Sequence, residues 1–80
     1  MSHSRDGETQ HAVLDAAQQL ARRLHNEGIE RTPEEVVAYA VRLLGRCGQT
    51  IDRRCVYRVL TRSVDNEKAY EHTRREMTEE

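Results

Sequence analysis

The chain has no tryptophan and no phenylalanine, and its aromatic rings outside histidine are Tyr39, Tyr57 and Tyr70. Without large aromatics, an 80-residue domain builds its core from Val, Leu, Ile and Ala. A core of that kind supplies no more than about 3–5 kcal/mol unless a staple or a partner adds to it. Self-association into a homodimer is the expected remedy. Cysteine is equally sparse: Cys47 and Cys55 are too few for a disulfide framework, and their spacing matches no compact zinc motif. The histidines (His3, His11, His25, His72) are scattered, so neither a metal nor a cofactor is expected.

Other absences narrow the function. No apolar run approaches the roughly 18 residues that a membrane-spanning helix needs, and no apolar signal segment is present, so the chain is read as cytoplasmic with no membrane partner. There is no glycine-rich phosphate loop, no nucleophile beside a base and no pair of carboxylates flanking a pocket. His11 and Asp15 lie one helical turn apart, but a solvated helix face does not perturb their pKa values as acid-base chemistry requires. The chain is read as a binding protein and not an enzyme.

What is present is helical periodicity. After a polar stretch at residues 1–8, expected to be a disordered tail, a helix begins near Thr9. At about 100° per residue, Val13, Ala16, Ala17, Leu20, Ala21 and Leu24 share one face. Gly28 is placed to end it in a left-handed cap, closed by the apolar Ile29. The second helix starts at Thr32-Pro33-Glu34-Glu35, a capping box with proline at the first turn. Its wide stripe of Val36, Val37, Ala40, Val41, Leu43 and Leu44 marks it as the expected centre of the fold. Gly45 or Gly48 ends it. A third helix, capped by Thr50 or Asp52, runs to about Arg62 and buries Cys55, Val56, Val59, Leu60 and Val64. The final segment carries only Ala69, Tyr70 and Met77 on an otherwise charged helix, with Glu71 and Arg75 spaced to pair.

The fold class that follows is all-α: a small bundle of three to four helices, with helices 2 and 3 in a helix-turn-helix-like arrangement. A core at residues 9–64 is followed by a charged helix or tail at residues 65–80. That last helix has too little apolar surface to be held by its own domain alone. It is expected to fray or to dock on a partner, which makes Tyr39, Tyr70 and Met77 interface candidates, Tyr and Met being enriched at interfaces.

One more absence carries the functional reading. Net charge is only -1, yet residues 53–62 hold four arginines and no acid, while residues 1–52 carry six basic and eight acidic groups and residues 63–80 carry three and six. Arg54, Arg58 and Arg62 recur every fourth residue and form a ridge on the third helix, with Tyr57 and Thr61 in the same arc of roughly 140° and Arg53 nearer the apolar edge. A guanidinium fork matches two phosphate oxygens or the O6 and N7 edge of guanine, and hydroxyls add phosphate contacts. The ridge is the expected recognition surface of a small DNA-binding regulator of transcription, with Arg53, Arg54, Tyr57, Arg58, Thr61 and Arg62 on double-stranded DNA. The competing reading is a protein-protein interaction module (adaptor, antitoxin-like partner or small inhibitor) in which the ridge meets an acidic protein or the acidic last helix occupies a basic groove.

Overall fold

The computed structural model describes residues 3–48 and 50–78, with residues 3–9 as backbone alone. These form four helices and no strand: α1 (His3–Asn26), α2 (Pro33–Arg46), α3 (Arg53–Asp65) and α4 (Glu67–Thr78). The all-α bundle anticipated from periodicity is the architecture observed.

All six apolar residues assigned to the inner face of α1 are buried, Leu20 and Leu24 completely. The helix closes as a Schellman cap: Gly28 takes φ +86, its N–H donates to the His25 carbonyl at 2.9 Å, and the Ile29 N–H donates to the Leu24 carbonyl at 2.9 Å. At the other end α1 reaches back to His3 rather than starting near Thr9, Met1 and Ser2 lying outside the described residues. Extending an existing helix gains one backbone hydrogen bond for each residue fixed, so a helix can outrun the apolar pattern that reveals it.

Thr32 caps α2 as expected. Its hydroxyl accepts the Glu35 N–H at 3.2 Å, and the Glu35 carboxylate accepts the Thr32 N–H at 3.5 Å. Arg31 donates to the same carboxylate, and its guanidinium, together with the Thr32 N–H, holds the Glu35 pKa below the ordinary value. Gly45 stays inside the helix, and Gly48, at φ +69, makes the turn beyond it.

The centre of the bundle is α3, not α2: α3 packs against all three other helices, most broadly against α1. Val56 and Leu60 are buried and Cys55, Val59 and Val64 half-buried, so its apolar arc serves several neighbours at once. A stripe's width in the sequence tells how much surface is apolar but not how many helices share it.

The last helix is also corrected. α4 is packed on its own domain: Tyr70, Thr73 and Met77 are buried in this chain's own core. Asn66 is the single non-helical residue before it. Its N–H closes α3 on the Arg62 carbonyl at 2.9 Å, and its side chain accepts the N–H groups of Lys68 and Ala69 at 3.0 and 3.3 Å. The tight reversal lays α4 directly against α3, where the Ser63 and Thr73 hydroxyls meet at 3.1 Å. Ser63 also donates to the Val59 carbonyl at 3.0 Å. Among the described residues no buried side-chain polar atom is left without a partner.

Candidate nucleic-acid interface

Asp52 sets the start and direction of α3. In extended conformation (φ -127, ψ 168), its carboxylate accepts the Cys55 N–H at 2.8 Å. That backbone bond, with smaller help from the Cys55 thiol and Arg54, keeps its pKa below the ordinary carboxylate range. With Val56 and Leu60 turned into the core, helical geometry sends residues 54, 57, 58 and 62 outward. Arg54, Tyr57, Arg58 and Arg62 are all exposed, Tyr57 at 40%.

Among the described residues, none of the guanidinium groups of Arg54, Arg58 and Arg62 has a carboxylate within 4.0 Å. The acids of α4 that form ion pairs make them elsewhere: Glu67 pairs with Arg23 on α1. Glu76 accepts the Tyr39 hydroxyl at 2.6 Å, lies 3.4 Å from His72 and reaches Arg46 at 4.0 Å. Burial of the Tyr39 ring, reinforced by the Glu76 carboxylate, raises the pKa of that phenol. The anticipated Glu71–Arg75 pair does not form within 4.0 Å, and among the described residues the i,i+4 pairs are Arg31–Glu35 and His72–Glu76.

Not every residue assigned to DNA turns its polar group outward beside that ridge. Arg53 leans toward α1, where its guanidinium donates to the Gln10 side chain at 3.1 Å. Thr61 turns its hydroxyl back onto its own helix, donating to the Tyr57 carbonyl at 2.9 Å or the Arg58 carbonyl at 3.2 Å. This is the local back-bonding of a short hydroxyl onto the carbonyls three and four residues earlier in its own helix. The outward set is thus Arg54, Tyr57, Arg58 and Arg62. Arg58 and Arg62 also border a cleft of about 240 Å³ between the end of α2 and α3, which Cys47 and Cys55 line as free thiols.

The interface candidates fare differently. Tyr70 is 1% and Met77 4% exposed, so both are core residues and neither is available to a partner while α4 stays docked. Tyr39 is half-buried with its hydroxyl engaged by Glu76. A narrow apolar line such as Tyr70 and Met77 is the same for a core face and a docking face, and here it is buried within the chain, with Arg23 over the Tyr70 ring. His11 and Asp15 are both exposed on α1, and among the described residues no three His, Cys, Asp or Glu side chains converge to hold a metal ion.

Periodicity gave no sign of the polar clamp around Tyr70. The Arg23 guanidinium lies 3.9 Å from the Tyr70 ring centroid and donates to the Val64 carbonyl at 2.8 Å, while the Tyr70 hydroxyl donates to Glu27 at 3.0 Å. Arg74 adds a 3.5 Å contact to Glu27. These pairs are more than forty positions apart in the chain, beyond the reach of any local pattern. Compared with known proteins, the chain matches no family model, no curated protein and no solved structure.

Proposed function

We propose that this chain is a small, non-enzymatic DNA-binding regulator acting in the cytoplasm, with α3 as the helix laid against double-stranded DNA. One observation carries the reading: three guanidinium groups on one helix face are exposed and, among the described residues, without carboxylate partners. Guanidinium groups that no carboxylate of the protein holds are those a phosphate backbone takes up at least cost. Tyr57, standing among them, adds a hydroxyl for a phosphate oxygen. In this reading α2 and α3 act as a helix-turn-helix-like pair, although residues 47–52 form a longer connection than the usual three or four residues. Net charge of -1 confers no long-range attraction, so affinity comes from local contact and is modest.

The test is fluorescence anisotropy of labelled duplex DNA titrated at low and moderate salt. Micromolar binding that weakens steeply with salt is expected. Replacing Arg54, Arg58 and Arg62 together by alanine should abolish it, and replacing any one of them should lower the slope of log K against log salt by about 1. Unchanged binding by that variant removes the assignment. No response at low salt favours the protein-interaction module, though its tail version has less to work with, since Glu67 and Glu76 are already engaged by Arg23 and Tyr39 of the same chain.

A further inference from the structure

Burying Tyr70 and Met77 removes the interface that sequence periodicity offered and leaves a different apolar face open. Among the described residues three large hydrophobic side chains are exposed: Leu14 at 38%, Ile51 at 50% and Tyr57. Leu14 and Ile51 flank one cleft of about 330 Å³ where α1, α2 and the start of α3 meet, floored by the half-buried Val37 and Val41. We propose that this cleft is the interface of an isologous homodimer, each copy seating Ile51 in the other's cleft.

Three features of the face point to a second copy rather than another occupant. Apolar edge and depression occur side by side on it: Ile51, half exposed on the turn before α3, forms one wall of the groove beside Gly45 and so offers the same groove in a partner an apolar side chain to take in. A two-fold contact requires that self-complementarity. The rim carries Asp52 and Arg53, opposite charges on adjacent residues. A two-fold contact is reciprocal, so a rim of both signs lets the acid of each copy face the base of the other, whereas nucleic acid, an anionic lipid surface or a strongly acidic protein would call for a rim of one sign. Finally, a chain of net charge -1 meets its own copy with almost no repulsion. The dimer stands without the nucleic-acid reading. Arg53, which sequence position assigned to DNA, belongs to this rim instead.

Sedimentation equilibrium from low micromolar to submillimolar concentration, with DNA absent, tests the proposal. A reversible monomer-dimer equilibrium is expected, weakened at least about tenfold by Ile51→Glu or Leu14→Glu because each buries an unpaired carboxylate. Both positions are exposed in the single chain, and circular dichroism checks that the variants stay helical. Should a variant unfold, isotope-filtered NOE spectra of mixed labelled and unlabelled wild-type protein decide the matter through intermolecular contacts of the Leu14 and Ile51 methyl groups. A monomer at every concentration overturns the proposal, as does a dimer of full strength in Ile51→Glu or one whose intermolecular contacts lie elsewhere. Because no DNA is present, its failure leaves the binding test untouched.

Discussion

Tyr70 joins three helices through one side chain. Its ring fills the core, its hydroxyl reaches Glu27 just past the end of α1, and Arg23 covers its face while bonding the Val64 carbonyl of α3. Burial, and then the Glu27 carboxylate, push the phenol up from an ordinary 10.0 to about 12. The folded state therefore keeps a proton that the unfolded chain releases at the ordinary value. This contribution to stability is complete below pH 10 and is lost as pH rises from 10 through about 12. Tyr39, shifted the same way, adds to that loss. Urea midpoints should fall across this window, and Tyr70→Phe should flatten part of the fall; a midpoint indifferent to alkaline pH would contradict the clamp. Asp52 works at the other end of the scale. Its folded pKa is lowered, so its contribution is present above the unfolded carboxylate pKa and disappears as pH drops through the folded value. Asp52→Asn keeps a capping oxygen and should be milder at neutral pH than Asp52→Ala, while both should reduce the acid-side slope of stability in urea titrations.

Among elements, α4 carries the strongest lesson. Its composition reads as a solvated tail, and only three of its residues are buried. Helix stability in proteins comes mainly from tertiary packing, however, and α3 offers a face on which even a narrow stripe is enough. Deleting residues 67–80 should therefore unfold the domain rather than trim it, since Tyr70 and Met77 leave the core together. Far-ultraviolet circular dichroism would show this as a loss of helix well beyond the fourteen residues removed. A soluble, cooperatively folding core would show that α4 is dispensable. The clamp can be probed without deleting anything. Arg23→Ala removes a cation-π contact and a hydrogen bond to a carbonyl, and should cost about 1–3 kcal/mol in urea unfolding. Arg23→Lys should recover little, because an ammonium does not span ring and carbonyl as a planar guanidinium does.

For the molecule as a whole, a thin core and a divided surface belong together. With no Phe or Trp, the buried set is mostly Ala, Val and Leu, closed by one tyrosine and one methionine. Leu20→Ala, at a fully buried position, should cost about 2–5 kcal/mol, comparable with the whole stability of a domain of this size. If copies pair through the Leu14 and Ile51 face, the melting temperature of the wild-type chain should climb with protein concentration, since a partner that binds only the folded state stabilises it by mass action. A concentration-independent melting temperature in scanning calorimetry would speak for a self-sufficient monomer. The two surfaces lie at different places on α3: the open guanidinium groups along its outer side, and the mixed-charge rim at its first turn against α1.

The sequence by itself determined the helices and their inner faces. Every apolar position assigned to α1 is buried, the capping box at Thr32 and the glycine turn at Gly28 form as their local chemistry requires, and Arg54, Arg58 and Arg62 stay on the outer side of α3. These features depend on residues within a turn or two of each other, which periodicity and capping rules can see. Only the tertiary structure decided which apolar stripes would cover one another: that α3 is the hub, that α4 returns to bury Tyr70, and that Leu14 and Ile51 remain uncovered. Those outcomes turn on pairings between residues far apart in the chain. An amphipathic stripe records that a face seeks cover and carries no information about what supplies it.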